Sequence, residues 1–156
     1  MYIRNEDTIF APATVPGTGA ISVIRISGPD ALTIADKVVS CRSSISSAKG
    51  YTMKFGTICD GSGDIIDEVI ASVFRAPHSY TGEDSVELSC HASSYIVSAV
   101  MQLLSEAGAR AAEPGEFTQR AYLNGKMDLA QAEAVADVIS SQNSASHRIA
   151  FSQMKG

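Results

Sequence analysis

Two β-like runs, Thr52 to Cys59 and Ile65 to Phe74, are separated only by Asp60-Gly61-Ser62-Gly63-Asp64. Turn residues between two such runs are a hairpin signal, because glycine and aspartate accept the backbone angles a tight reversal needs. A little further on, SVELSC alternates strictly. Val86, Leu88 and Cys90 point one way and Ser85, Glu87 and Ser89 the other, the pattern of a strand with one buried face. These runs commit the middle of the chain to β-sheet.

The flanks add helices. Thr8 to Thr14 reads as a strand that stops at Pro16-Gly17, within the turn-rich Val15 to Gly19. Ile21 to Ile26 is apolar except for Ser22 and Arg25, the pattern of a strand covered on both faces. Ala31, Ile34, Ala35 and Val38 recur at helical spacing after Pro29, with Ser27 or Gly28 as cap and an end near Ser40. Ser40 to Gly50, serine-rich and without pattern, reads as a mobile surface loop. Ile96, Val100, Leu103 and Leu104 make one face of a helix over 94–107, and Gly108 is placed to end it. A short β-like stretch, Ala109 to Ala112, precedes a helical turn over Glu116 to Leu123, opened by Pro114-Gly115 and closed by Asn124-Gly125. Asp128 and Gln131 form a capping box for a last helix, with Leu129, Ala132, Val135, Ala136 and Ile139 along one stripe. Hairpins mixed with helices make the class α+β, with a mixed or antiparallel sheet and packed helices.

The 156 residues are enough for one domain with its own core. Twelve basic against 17 acidic residues give a net charge of −5, which argues against a chain that grips nucleic acid by its phosphates. MYIRNEDTIF has no apolar core and is not read as a signal peptide, and no apolar run is long enough to span a membrane. Cys41, Cys59 and Cys90 are odd in number and widely spaced. They suit neither a disulfide framework nor a metal knuckle, and a reducing cytoplasm is the expected compartment.

No G-x-x-x-x-G-K-[ST], H-E-x-x-H or G-x-S-x-G occurs, so GTP binding and metal or serine hydrolysis are not expected of these residues. Cys90 and His91 are neighbours on a strand and face opposite sides, so they do not read as a nucleophile with its base. Cys90 is read as a core residue. His91 has two readings, a cap or solvated residue and a ligand contact. Three charges stand out. Arg25 interrupts an apolar strand and implies either an ion pair with a carboxylate on a neighbouring strand or a bound anion. Glu83 lies in the loop YTGED and Lys126 in LNGKMDL, each either plainly solvated or part of a mixed-charge pocket.

DTIFAPATVPGTGAISVIRISGPDAL, APHSYTGEDSVELSCH and EPGEFTQRAYLNGKMDLAQAEAVADVI resemble three signature segments of the MnmE or TrmE family of tRNA-modification GTPases. The resemblance implies that residues 1–118 form a folate-binding and dimerisation domain similar to aminomethyltransferase modules. Residues 119–156 would begin a helical domain, with the GTPase domain lying outside this sequence. It implies a homodimer that binds a tetrahydrofolate derivative, 5-formyl or 5,10-methylene. Arg25, Glu83 and Lys126 fall on the family's folate-contacting positions; a carboxylate there would accept the paired N–H donors of a pterin. In the whole family protein, GTP with potassium and magnesium, a flavoprotein partner MnmG (GidA) and the wobble uridine of certain tRNAs complete the activity. This chain alone would not be catalytic. Two positions depart from the family: Thr18 stands where it has arginine, and Ala92-Ser93 where it has a glycine pair. The alternatives are a self-contained folate-dependent one-carbon enzyme, which the sequence gives no nucleophile, and a dimerisation module with a decayed pocket. The last helix is expected to pack on this domain or its dimer mate as far as about Gln142, and beyond it to fray or find a non-native partner.

Overall fold

The computed structural model describes residues 6–14 and 19–138. The strands are β1 (Ile9–Pro12), β2 (Ile21–Ser27), β3 (Ser40–Cys41), β4 (Thr52–Cys59), β5 (Ile65–Phe74), β6 (Ser85–His91) and β7 (Arg110–Ala111). The helices are α1 (Ala31–Val38), α2 (Ser94–Glu106) and α3 (Glu116–Leu123), and residues 129–138 are helical as well. One sheet runs β3-β4-β5-β6-β2-β1-β7, antiparallel throughout except where β7 lies parallel to β1. The fold is α+β with a mixed sheet, as the residue pattern predicts.

Register decides which residues share a face. Ile24 pairs with Leu88, which pairs with Ala71, and Ile26, Val86 and Val73 form the next row. These rows face α1 and α2, and with Ala31, Leu32, Ile34, Ala35, Val38, Val100 and Leu104 they make the apolar core. Burying a side chain of that size stabilises by about 1.5–3 kcal/mol before entropy is counted. The residues between them carry the opposite face. Arg25 lies across from Glu87, and Glu87 across from Ser72; Val23, Ser89, Ile70 and Phe55 make the adjacent row.

That face is only partly covered. Ile21 is 62% exposed and Phe55 63%, so β2 is enclosed on both sides only toward Ile26 and Ser27, not along its whole length as its apolar run suggests. Two further expectations change. The loop from Ser40 to Gly50 contains β3 and is tied down. Asp36 accepts from the backbone N–H groups of Ile45 (2.6 Å) and Ser46 (2.9 Å), and Arg75 donates to the carbonyls of Ser46 and Ala48. Ile45 is fully buried beneath it. At the start of α1 the cap residue is Asp30, whose side chain makes no capping bond; its N–H is satisfied instead by the Thr8 hydroxyl at 2.9 Å.

The hairpin bounds, α3 and the Asp128–Gln131 capping box appear as expected, the last with reciprocal bonds of 2.7 and 2.9 Å. Along residues 129–138, Ala132 and Val135 are half-buried while Leu129 and Val138 are exposed. The turn Val15 to Thr18, with the Thr18 departure, and everything expected beyond residue 138 lie outside the described residues.

Candidate functional site

The loop Tyr80-Thr81-Gly82-Glu83 gathers the three candidate residues. Glu83 is not a solvated loop acid. Its side chain is 13% exposed, and its Oε1 accepts from the Ser27 hydroxyl at 2.8 Å. Ser27 has one proton to give, so its contacts with Thr81 (2.6 Å) and Ser85 (3.1 Å) are bonds it accepts. The loop is fastened further by Ser79, whose hydroxyl donates to the Glu83 carbonyl, and by Asn124, whose amide donates to the Thr81 carbonyl. Gly82 allows this seating. Its φ is +80°, and a Cβ there would stand 2.9 Å from the Cβ of Asn124 and 3.2 Å from Cγ of Lys126.

Arg25 approaches the same loop from β2. Its guanidinium carbon lies 4.7 Å from the Tyr80 ring centroid and 5.2 Å from that of Phe117, within cation–π range. Nε stands 3.5 Å from Oε2 of Glu87, the neighbouring-strand carboxylate that the ion-pair reading requires. The contact lacks hydrogen-bond geometry, and Nε is buried with no hydrogen-bond partner. Lys126 is exposed, with its aliphatic stem beside Gly82 and its N–H donating to the Ala121 carbonyl at 2.8 Å. Arg25, Glu83 and Lys126 therefore converge on one loop from three elements. Among the described residues, no hydrogen bond or ion pair joins any two of them.

Beneath the loop lies a cluster the sequence reading missed. Arg120, fully buried on α3, donates through Nη1 to the Asp7 carbonyl (2.7 Å) and to both Glu83 oxygens (3.2 Å each). Its Nη2 donates to Asp7 Oδ1 (2.6 Å) and Glu116 Oε2 (3.2 Å). Arg110, the first residue of β7, holds the other side, with Nε 2.5 Å from Asp7 Oδ2 and Nη2 2.6 Å from Glu116 Oε2. Hydrogen bonding by Arg110 holds the Asp7 carboxyl below its ordinary range. Burial alone would raise Glu116, but bonds from Arg110 and the Glu113 N–H outweigh it and the net direction is down. The one local signal was the i, i+4 spacing of Glu116 and Arg120. The links to Asp7 and Glu83 are long-range and leave no mark in the pattern.

Two guanidiniums against three carboxylates leave this cluster with a surplus of negative charge, and Glu83 is the member next to Arg25's loop and the Lys126 stem. The carboxylate keeps acceptor capacity on Oε2, which among the described residues accepts only from Arg120. The arrangement offers a carboxylate acceptor beside two cationic groups, so it can take a ligand that carries an N–H or O–H donor together with an acceptor or anionic portion. His91 sits apart. Its Nδ1 is 2.8 Å from Asp67 Oδ1, and its N–H donates to Oδ2, so it caps the end of β5–β6 rather than facing this loop. Cys90 is buried, as its strand rhythm requires, and burial pushes its thiol up. Ser93, at the second departure from the family, caps α2 by accepting from the Ile96 N–H.

Comparison with known proteins bears on this geometry. Residues 8–126 match the family described as GTP-binding protein TrmE N-terminus. A tRNA modification GTPase MnmE of Bacteroides fragilis is 59% identical over 97% of the chain. Those of Bacteroides thetaiotaomicron and Christiangramia forsetii are each 57% identical, over 97% and 99% of it. In each case the match covers 33% of the relative, so the chain spans about a third of the length of the curated relatives it matches.

Proposed function

The chain belongs to the TrmE N-terminal family, and from that premise we propose that it is the tetrahydrofolate-binding and dimerisation module of a tRNA-modification GTPase. Glu83 accepts the paired N–H donors of a reduced pterin, and Arg25 and Lys126 serve the acceptor edge or the anionic tail. The observation that carries this reading is the fixed carboxylate of Glu83, held by Ser27 and Arg120 on a loop that also receives both cations. A carboxylate already oriented spends little entropy on binding. When bound, the folate would supply the one-carbon unit; the residues of this chain hold and orient it. The domain resembles folate-binding aminomethyltransferase modules in this reading, with residues 1–118 as the binding domain and 119–156 as the start of the helical domain.

Dimerisation is assigned to the uncovered sheet face. Ile21, Phe55 and Ile70 are exposed together with a shallow groove of about 210 Å³ that they line with Ser89 and His91. A contiguous apolar patch of that kind marks a contact surface. For the full-length protein the proposal is GTP hydrolysis with potassium and magnesium, and cytoplasmic modification of tRNA wobble uridine with the flavoprotein MnmG. No residue described here is assigned a part in those steps. Among the described residues no helix is long and apolar enough to cross a membrane.

Calorimetric titration with 5-formyltetrahydrofolate tests the site. Charge-assisted bonds of this kind are worth about 1.5–3 kcal/mol, so Glu83→Gln is expected to weaken binding about ten-fold or more. Equal affinity in Glu83→Gln removes that residue from the site. A dimeric wild type that binds no folate leaves the dimerisation module alone.

A further inference from the structure

Net charge hides an asymmetry. Lys37, Arg42, Lys49 and Lys54 all fall within residues 37–59, where there is no Asp or Glu, so the remainder of the chain holds all 17 acidic residues. In the fold this segment is one edge of the sheet: the end of α1, β3, the anchored loop and β4. Beyond the pair Cys41–Gly56 the two strands separate. A groove of about 530 Å³ opens there, with Arg42, Lys54 and the hydroxyls of Ser40, Ser43 and Thr57 around an apolar floor of Cys41, Phe55 and Gly56.

One of its two cations is held in place. Lys54 Nζ bonds the hydroxyl of Ser43, which sets the ammonium at the groove wall. Of the acids that flank the segment, Asp36 and Asp60, Asp36 is occupied by Ile45, Ser46 and Ser44 and is held below its ordinary range, burial being outweighed by those bonds, while Glu68 lies across from Thr57 on β5. Just before β4 stands Tyr51, 73% exposed. Its backbone has φ +62°, a conformation uncommon outside glycine, and its N–H is fixed to the Val73 carbonyl at 2.7 Å. The ring is braced by Phe74 and His78, with centroids 6.2 Å away in each case.

We propose that this edge is a binding surface for single-stranded RNA. Arg42 and Lys54 take phosphates in the groove, the hydroxyls of Ser40, Ser43 and Thr57 meet ribose 2′-hydroxyls, and Tyr51 stacks a base. Braced aromatic rings beside a cationic groove are what sequence-tolerant single-strand binding uses. The surface is separate from the folate loop, so either assignment can fail without the other. Phe55 marks its border with the dimer face.

The test is fluorescence anisotropy of the 156-residue chain with a labelled single-stranded RNA of about twelve nucleotides, at several salt concentrations. Arg42→Gln/Lys54→Gln is expected to weaken binding about ten-fold or more and to reduce the salt slope by roughly 1.4, the share of two phosphate contacts. Tyr51→Asn, which keeps a residue tolerant of that backbone, should weaken it about three-fold or more. Ser98→Glu/Gln102→Glu makes the same charge change on the exposed side of α2 and should leave affinity within about two-fold. Circular dichroism melting checks that each variant is folded; should the double variant unfold, Tyr51→Asn decides alone. No saturable binding by the wild type, or equal losses in the two charge variants, would overturn the proposal. So would polyphosphate competing as well as RNA while Tyr51→Asn has no effect.

Discussion

The sheet has an apolar core on one face and an ionic one at the β1–β7 end of the other, and the two are built on different physics. Between the sheet and α1 and α2, Ile24, Ile26, Val86, Leu88, Val100 and Leu104 are fully buried and bring no charge with them. Under α3, Arg120 is equally buried but is held by Asp7, Glu83 and Glu116. Apolar contacts are non-directional, and their loss scales with the atoms removed. A buried charge cluster gains little net stability, yet it fixes geometry, and it is costly to break one partner at a time. The candidate ligand loop rests on the second kind. Its carboxylate is therefore oriented by hydrogen bonds rather than by close packing.

The largest expected effect comes from Arg120→Met. It leaves three carboxylates with Arg110 alone and should cost about 3–5 kcal/mol in urea unfolding. Adding Asp7→Asn, Glu83→Gln and Glu116→Gln should recover a good part of that loss, as an apolar substitution could not. A cost below about 1 kcal/mol would show that the cluster is no core at all. Leu88→Ala comes next, at about 3 kcal/mol, with folate affinity unchanged if the two cores are independent. Ser27→Ala removes a buried donor to a charged acceptor. It should cost about 1–2 kcal/mol of stability and weaken folate binding a few-fold, which apolar variants should not do.

The smallest effect is the acid response. Asp7 and Glu116 have folded-state pKa values below their unfolded ones. Their contribution is thus complete above about pH 4–5 and is lost as pH falls through the folded values. Urea midpoints measured down the acid range should fall less steeply in Asp7→Asn/Glu116→Gln than in wild type. Leu88→Ala should parallel wild type.

What the residues announce is whatever is decided locally. The hairpin bounds follow from Asp60 to Asp64, the bounds of α3 from Pro114-Gly115 and Asn124-Gly125, and the Asp128–Gln131 box from a spacing of three. Arg25 and Glu83 drew notice as charges in odd places, and both meet at the Tyr80–Glu83 loop. What stayed illegible depends on distant partners. The N–H of Asp30, the cap residue of α1, is satisfied by Thr8, which lies ahead of β1 in sequence. The serine-rich loop is ordered by Asp36 and Arg75, which lie on either side of it in sequence. Arg120 is an ordinary helical arginine until Asp7 is brought to it.

That last contact sets a timetable for synthesis. Asp7 and Arg120 are separated by 113 positions, and a ribosome adds roughly 5–20 residues per second, so the N-terminal segment waits about 6–23 s for its partner. Until then β1 has neither β7 beside it nor the arginines that neutralise Asp7, so one edge of the nascent sheet stays open. Chains that meet in that interval can pair by that edge, and whatever shortens the wait or shields the edge should raise the yield of correctly folded protein.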